Sequence, residues 1–385
     1  QALDADGAEV PSFWTWREAM YGLVTELGSV EAFKRQTKQC FEEMAAAGIT
    51  TCGEFHYFRH STSDSDHSSE FANFDHDAAV VEAAREANVR IVLLNAWYER
   101  GGFDDSPLSE GQQRFRTDDM NAYWAQMDRV AALLGDDAGA RRGDALGVVA
   151  HSSRAASVPS LRRLAAEASE RNLVLHLHLE EQQKEIDDCV AEHGCTPLEL
   201  LLRSVPAEHL QNACAVHCTH SKMDELQRFV DTGATVCVCP LTEASLGDGV
   251  FLSLEATSGD VSLGTDCNAR IDMFEEMRWL EYSQRLARGR RGVYPSVGHD
   301  QEGRLAPQLL DCATVHGARS LGVDAGAISP GKWADFALLD LHAPALAGAS
   351  DENMLGAAVL GGSAEGLVVD SCVAGTWTRG LRRET

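Results

Sequence analysis

The sequence predicts an α/β protein built on a TIM-type (β/α)8 barrel, and three observations lead to this fold. Short apolar runs rich in β-formers alternate with helical stretches, which is the pattern of βαβ units and a parallel sheet. Ionisable residues stand where one strand after another ends, and barrel enzymes carry their chemistry at that end; these residues are His56, His151, His178, His217 and Asp266. No glycine-rich phosphate turn follows the first strand, which disfavours a doubly wound open sheet.

The elements can be placed in chain order. A first helix is predicted from Ser29, as its N-cap, to Gly48, where it stops. Further helices are predicted at residues 77–88, 159–170, 185–192, 221–230 and 272–288. Seven strands are predicted, at residues 49–55, 89–94, 145–150, 173–177, 213–218, 235–239 and 261–265. A (β/α)8 barrel needs eight, so the count is one strand short.

The pattern changes after the predicted barrel. From Ile328 the chain consists of short apolar pieces with turns, at residues 334–340, 366–370 and 372–377. These pieces predict a small antiparallel β addition. We therefore expect two parts, a barrel in residues 1–327 and a small β portion in residues 328–385.

Composition narrows the class of partner. The formal charge of −26 would repel nucleic acids and anionic membranes, so a small-molecule ligand is expected, with no nucleic acid and no membrane as partner. No apolar run is long enough to span a bilayer, and Asp4, Asp6 and Glu9 do not fit a signal peptide. The 11 cysteines are odd in number, and several lie in strand-like runs. We expect a cytoplasmic protein with buried thiols, including Cys237 and Cys239, which are too close in sequence for a zinc pair.

The run at residues 175–181 is the strongest candidate for chemistry. On a strand His176 and His178 face the same side, because side chains alternate with period two. A single histidine here would more often be a satisfied core residue. His217 and Asp266 end later strands, so His, His and Asp converge at one barrel mouth and supply ligands suited to Zn²⁺ or Fe²⁺. Glu181 could then shuttle a proton near a metal-activated water.

This arrangement resembles the amidohydrolase superfamily. Its members bind metal through His-x-His after the first barrel strand, a histidine after the fifth, often one after the sixth, and an aspartate after the eighth; His178, His217 and Asp266 match the last three. Residues 318–322 and 326–336 are similar to the family's passage from barrel to small β-sandwich. The resemblance implies that residues 1–327 hold barrel strands 2–8 and residues 328–385 the remainder of the sandwich. It places the first strand, with His-x-His and a nearby glutamine, upstream of Gln1.

Within the superfamily, six blocks are similar to the formimidoylglutamate deiminases, at residues 12–18, 54–57, 151–155, 181–189, 242–249 and 275–282. This resemblance implies release of ammonia from N-formimidoyl-L-glutamate to give N-formyl-L-glutamate, a step of histidine degradation. It implies one divalent metal, Zn²⁺ with Fe²⁺ or Mn²⁺ left open, and a homodimer.

The resemblance also assigns residues. It implies that His178 and Asp266 bind the metal, that Glu181 carries a proton to the departing ammonia, and that His217 and Asp266 orient the water. It further implies that Arg17 and Arg154 clamp the substrate carboxylates, as a guanidinium pairs bidentately with a carboxylate. Tyr57 and His151 match family positions that contact substrate.

One departure and two alternatives stay open. Residues 265–268 are Thr-Asp-Cys-Asn where the family usually has Ser-Asp-Ser-His, so Asn268 stands in place of a histidine and substrate preference could differ. The chain could be another C–N hydrolase of the superfamily, such as a purine or pyrimidine aminohydrolase, although two clamp arginines disfavour neutral bases. It could also be a catalytically inactive, truncated homologue that serves as a binding or pairing module.

Overall fold

A parallel sheet of seven strands forms the centre of the computed structural model, which describes residues 13–26, 29–58, 74–117, 119–294 and 305–379. The strands lie side by side in chain order. All seven predicted strands are present, so this part of the prediction is confirmed. They are β1 (Thr51–His56), β2 (Arg90–Trp97), β3 (Ala145–Ser152), β4 (Leu175–Leu179), β5 (Ala213–His217), β6 (Thr235–Val238) and β7 (Val261–Leu263).

Helices follow most strands and cover the outer face of the sheet. Ser29 caps the second helix as predicted, since its Oγ accepts a hydrogen bond from the amide of Ala32 at 3.1 Å. The helices up to β7 are α1 (Phe13–Glu26), α2 (Val30–Ala46), α3 (Phe74–Glu86), α4 (Met120–Leu134), α5 (Asp137–Arg142), α6 (Val158–Glu170), α7 (Gln183–His193), α8 (Pro197–Ser204), α9 (Met223–Val230) and α10 (Pro240–Leu246). Beyond β7 come α11 (Met273–Arg288), α12 (Leu305–Ala313) and α13 (Val315–Ser320).

Both faces of the sheet are buried. Every residue of β2 is buried, as expected for a parallel strand covered on two sides. Ile91 and Leu93 belong to the large outer core between the sheet and its helices. Val92 and Leu94 belong to a separate inner cluster together with Val149 of β3. The alternation of inner and outer side chains therefore assigns each strand residue to one of two cores.

The sheet is curled like part of a barrel wall. Phe55 of β1 touches two side chains of β4, with ring centroids 5.9 Å from His176 and 4.8 Å from His178. Two strands lie between β1 and β4 in the sheet order, so a flat sheet could not bring these rings together. Among the described residues β1 and β7 are the two ends of the sheet, with no strand pairing between them.

The C-terminal part forms a second, antiparallel sheet of three strands in the order β10-β9-β8. Its strands are β8 (Phe336–Leu339), β9 (Val368–Val373) and β10 (Thr376–Trp377). The sequence predicted a break at residue 371, but β9 runs through it and turns into β10 at Ala374 and Gly375. Two helices that the sequence did not predict, α14 (Met354–Gly361) and α15 (Ala364–Leu367), lie between β8 and β9. The α14 run is almost wholly apolar, so it carries no helical periodicity.

A buried ion pair attaches the small sheet to the amino ends of the barrel strands. Arg90, the first residue of β2, pairs with Asp335 through two guanidinium nitrogens, one of them at 3.0 Å. The Arg90 guanidinium lies 4.9 Å from the ring of Trp333, and its Nε donates to the carbonyl of Arg142 at 2.6 Å. Asp335 also accepts a hydrogen bond from the amide of Ala374 at 2.9 Å. Arg90 and Asp335 therefore each have several partners.

Within the part of the chain described, no helix combines the length and apolar character needed to cross a bilayer.

Candidate active site

His178 lies on the inner face of β4, one residue before the strand ends. Its Nδ1 is 2.8 Å from the carbonyl oxygen of His151, and because a carbonyl only accepts, Nδ1 carries the hydrogen. This leaves Nε2 with a free lone pair, the tautomer found in metal-binding histidines whose other nitrogen is held by a carbonyl. Burial and the neighbouring charge of His217 lower the pKa of His178, which keeps the ring neutral.

His217 reaches the same site through an unusual backbone conformation. Alternation along β5 places Ala213 and Ala215 in the outer core, and His217 would follow them outward. Its φ of 73° breaks the alternation, and the ring stacks on that of His178 with centroids 5.6 Å apart. Asp266, just after β7, also has a positive φ, of 43°. Such strained backbone in non-glycine residues is concentrated at functional sites.

Carboxylates surround the His217 ring on both sides. Its Nδ1 lies 3.4 Å from Glu243 of α10, while Nε2 lies 3.7 Å from Glu181 and 3.9 Å from Asp266. Burial acts to lower the pKa of His217, but these three carboxylates outweigh it and hold that pKa well above its usual value. Glu243 is itself held, because the amide of Cys239 donates to it at 2.9 Å. The predicted catalytic residues Glu181, His217 and Asp266 are therefore brought together.

A set of metal-ligand atoms lies at the centre of this group. One donor atom each from His217, Cys239 and Asp266 lies within 4.8 Å of the others. Nitrogen, sulfur and oxygen donors gathered among buried carboxylates suit a divalent cation such as zinc. His178, predicted as a ligand, is not one of these three but stacks directly on His217.

Cys239 is one of the site residues that the sequence did not predict. We excluded Cys237 and Cys239 as a zinc pair and interpreted both as buried thiols. The structure instead combines one of them with a histidine and an aspartate from neighbouring strands. The period-two spacing that carries both cysteines to the inner face was a usable signal.

A hydrogen-bonded unit of predicted substrate-binding residues adjoins the histidines. Arg154 Nη2 lies 3.2 Å from Nε2 of His151, and Tyr57 Oη lies 3.2 Å from its Nδ1. Arginine can only donate, so Nε2 accepts, and Nδ1–H donates to the Tyr57 oxygen. Burial, followed by the charges of His178 and Arg154, lowers the pKa of His151 well below its usual value, which agrees with this neutral form. The Tyr57 hydroxyl hydrogen is then directed away from His151.

Arg17 belongs to the same side of the site. It lies on α1, half-buried, with its guanidinium 5.7 Å from the ring of Tyr21. Its positive charge acts on His151, as does that of the half-buried Arg154. Both arginines predicted as carboxylate clamps therefore act electrostatically on His151, and Arg154 also contacts it. The rings of His151 and His178 are 5.1 Å apart, which joins this arginine half to the carboxylate half of the site.

Two histidines expected near the barrel mouth do not belong to this site. His56 ends β1, but alternation turns it outward, where Nε2 lies 3.2 Å from Asp77 of α3. Asp77 also accepts a hydrogen bond from Asn95 at 2.7 Å, so His56 is part of a structural network behind the sheet. His176 faces inward but lies deeper, where its Nε2 donates to the carbonyl of Ser320 at 2.8 Å. Our placement of His56 at the mouth was wrong.

Comparison with known proteins now decides the family. A sequence model of the amidohydrolase family matches residues 9–380. The chain belongs to the amidohydrolase family. It is 36% identical over 369 residues to a formimidoylglutamate deiminase of Pseudomonas aeruginosa, covering 95% of this chain and 78% of that protein. It is 28% identical over 309 residues to a 5'-deoxyadenosine deaminase of Methanothermobacter thermautotrophicus, covering 79% of this chain and 62% of that protein.

Solved structures agree with this assignment. An amidohydrolase from Brucella melitensis superposes with a TM-score of 0.81 at 30% identity, over 96% of this chain and 79% of that one. An adenosine deaminase from Xanthomonas campestris with bound zinc superposes with a TM-score of 0.74 at 21% identity, over 96% of this chain and 75% of that one, which shows a shared fold. The TIM-barrel prediction is thereby confirmed. This amidohydrolase is a hydrolase that acts on C–N bonds.

Three further buried acids of the amidohydrolase lie around the mouth. Burial raises the pKa of Glu185 to about 7 against the opposing charge of Arg154. Burial raises the pKa of Asp248 to about 8, with Glu181 adding to the rise, and raises that of Glu276 to about 9. Each of the three has a carboxylate oxygen without a hydrogen-bond partner among the described residues.

Asn268, which replaces the histidine usual in the family, is turned into its own loop. Its Oδ1 accepts a hydrogen bond from Thr265 Oγ1 at 2.6 Å, and its backbone has a φ of 51°. The side chain is exposed. It therefore contributes to the shape of the turn that carries Asp266.

Proposed function

We propose that this amidohydrolase is a metal-dependent aminohydrolase that converts N-formimidoyl-L-glutamate and water to N-formyl-L-glutamate and ammonia. The observation that carries the proposal is a site with two adjoining halves of opposite character. One half gathers carboxylates and histidines around His217, and the other holds Arg154 and Arg17 beside His151. The proposed substrate has a matching division, with an amidine at one end and two carboxylates at the other.

The donor set supports one divalent cation, with zinc as the first choice. His217, Cys239 and Asp266 offer nitrogen, sulfur and oxygen, and Nε2 of His178 is free on the adjoining ring. The adenosine deaminase with bound zinc has the same fold. A cation held there would act as a Lewis acid and activate water at neutral pH. Fe²⁺ and Mn²⁺ should be compared with zinc in the activity assay, because the ligand types alone do not select among the three metals.

Glu181 is the proton carrier in this proposal. Its carboxylate lies 3.7 Å from His217 with the side chain 12% exposed, and this burial raises its pKa. A carboxyl group whose pKa is raised toward neutrality can hold a proton taken from water and pass it to the leaving nitrogen. His217, held beside Glu181, Glu243 and Asp266, orients that exchange.

The arginine half binds the glutamate end of the substrate. Arg154 is anchored to His151, which in turn holds Tyr57, so the Arg154 guanidinium and the Tyr57 hydroxyl are set in a fixed relation before substrate arrives. Guanidinium groups pair bidentately with carboxylates, and two arginines suit two carboxylates. The locally positive half also offsets the net charge of −26, which would otherwise repel an anion.

A second candidate is a purine-type deaminase, supported by the 28% identity to a 5'-deoxyadenosine deaminase. Its substrate lacks the carboxylates that two arginines would bind. Ammonia release from N-formimidoyl-L-glutamate, adenosine and 5'-deoxyadenosine by the zinc-loaded full-length protein separates the two. We expect kcat/KM to be highest for N-formimidoyl-L-glutamate. A higher value for either nucleoside would replace the first candidate by the second, and bound zinc without ammonia release from any of them would favour an inactive homologue.

A further inference from the structure

Asp248 lies in a turn that glycine makes possible. It follows α10 between Gly247 and Gly249, whose φ angles are 73° and 126°. A Cβ at Gly249 would lie 3.2 Å from Cγ2 of Thr219 in a backbone conformation that L residues rarely adopt. The Asp248 amide donates to the carbonyl of Glu243 at 2.9 Å. This turn holds the aspartate side chain inward, where only 4% of the residue is exposed.

One oxygen of Asp248 is held and the other is not. Gln182, directly after Glu181, donates from Nε2 to Oδ1 of Asp248. Oδ2 is buried and has no hydrogen-bond partner among the described residues. A buried carboxylate oxygen without a donor is costly, so a donor from a ligand would relieve it.

The surroundings of Asp248 indicate what kind of donor this is. The charges that act on it are those of Glu181, His217, Glu243 and Asp266, the same groups that surround the reacting end of the proposed substrate. Three of these four are carboxylates. A cationic N–H donor is therefore favoured over a neutral one, since it also offsets the repulsion among the acids.

We propose that Oδ2 of Asp248 accepts a hydrogen bond from the protonated amidine of the substrate, at its terminal NH₂, and selects cationic amidines over neutral groups. This inference rests on the proposed function and names a selectivity within it. An amidine is a strong base and is protonated at neutral pH, so the substrate carries a cation at this end. The overall reaction is R–NH–CH=NH₂⁺ + H₂O → R–NH–CHO + NH₄⁺. Asp248 takes no part in this chemical step, and any proton that it holds in the free protein leaves to solvent when the cationic amidine binds.

Glu276 offers a matched control. It is fully buried near the same mouth, and one of its oxygens has no partner among the residues described while the other accepts from the amide of Leu241 at 3.0 Å. The charged groups that act on it are Glu243, Cys237 and Asp266. Glu276→Gln therefore makes the same carboxylate-to-amide change outside the proposed contact.

The experiment compares the zinc-loaded full-length wild type with Asp248→Asn and Glu276→Gln. It measures KM and kcat for N-formimidoyl-L-glutamate and the inhibition constant of N-formyl-L-glutamate, which keeps both carboxylates but is neutral at the reacting end. Hydrogen bonds between charged groups predict that Asp248→Asn raises KM about 10- to 100-fold. The inhibition constant should change less than about threefold, because a neutral ligand loses no charged contact. Glu276→Gln should leave the ratio of KM to the inhibition constant unchanged.

The outcomes separate the two proposals. The role of Asp248 would be overturned if Asp248→Asn weakened the binding of substrate and of N-formyl-L-glutamate equally. It would also be overturned if Glu276→Gln changed the ratio of KM to the inhibition constant as much as Asp248→Asn does. Neither result would contradict the proposed function. Wild type that releases no ammonia would overturn the function.

Selectivity is then measured by calorimetry with formamidinium and formamide. A preference for formamidinium that Asp248→Asn abolishes would support the contact, and equal binding of both ligands would refute it.

Discussion

The two ends of the parallel sheet bury charge in opposite ways. At the amino end Arg90 and Asp335 pair with each other, Arg90 also donates to Thr51 and to the carbonyl of Arg142, and Asp335 accepts from the amide of Ala374. At the carboxyl end several acids crowd around one histidine, and buried carboxylate oxygens are left without donors among the described residues. The first arrangement stabilises the fold. The second costs stability and is retained where a ligand completes it.

Burial alone does not distinguish the two kinds of site. His56 and His217 are each only 1% exposed, and each faces an aspartate or glutamate. His56, however, has one acidic partner whose other contacts are amides, whereas His217 has three acidic partners. The number of unrelieved like charges, and not depth, separates the functional region from the structural one.

The largest effect is expected from Glu181→Gln at the carboxyl end. General acid–base catalysis contributes about 10²- to 10⁴-fold, so kcat should fall by roughly a thousandfold. Metal content, measured by mass spectrometry of the dialysed protein, should stay at the wild-type level because Glu181 is not in the donor set. Loss of metal together with activity would contradict the proton-carrier role.

Asp335→Ala tests the amino end. Removing one partner of a buried ion pair leaves Arg90 charged and buried, so the free energy of unfolding should fall by about 3 kcal/mol or more. Urea unfolding followed by circular dichroism measures this. The kcat per folded molecule should be unchanged, and a selective loss of kcat in fully folded protein would mean that this end contributes to catalysis.

Arg154→Met tests the positive half of the site. Loss of a charged hydrogen bond to a substrate carboxylate should raise KM about 10- to 100-fold, with a smaller change in kcat. Arg203→Met, which removes an exposed arginine paired with Glu199 on the outer surface, serves as the matched control. An unchanged KM in Arg154→Met would argue against the clamp.

His76→Phe tests whether a buried ionisable group away from the barrel mouth lowers the stability of the folded protein. Neither ring nitrogen of His76 has a hydrogen-bond partner among the described residues, and the ring stacks on Phe58. Burial, aided by His56 and Arg114, lowers its pKa to about 4 from the ordinary 6.5. Between these values the unfolded chain binds a proton that the folded protein does not, so wild-type stability falls as pH drops from 6.5 toward 4.

The variant should remove this dependence. At pH 5 the gap between the two pKa values predicts a gain for His76→Phe of about 2 kcal/mol over its effect at pH 8. Urea unfolding at the two pH values measures the difference. If the difference in stability between His76→Phe and wild type were the same at both pH values, His76 would have the same pKa in the folded and unfolded chains.

The strands were predictable because each is a short β-rich run between helical stretches, and β2 and β5 begin and end within three residues of the prediction. Helix α14 was not predictable, since a helix that is apolar all round has no polar face to set its period. The continuous strand β9 was also missed, because residue 371 became a strand position only through pairing with β8.

The candidate site was likewise predictable only in part. His178 was predicted to face inward from strand alternation alone, and it does. Alternation misplaces His217, because the side chain turns inward only through a positive φ that the residue type does not indicate. Cys239 belongs to the site because the ends of two neighbouring strands bring His217 and Asp266 close to it. No local sequence pattern encodes that contact.

The sequence by itself determined the order of strands and helices, the inner and outer faces of the sheet, and most of the residue types that the chemistry needs. These follow from periodicity and propensity, which are local properties of the chain. Only the tertiary structure decided which acids would crowd His217 and which charges would be paired at the opposite end. That choice depends on distances between strands far apart in sequence, and electrostatic energies depend on those distances and on the burial that folding creates.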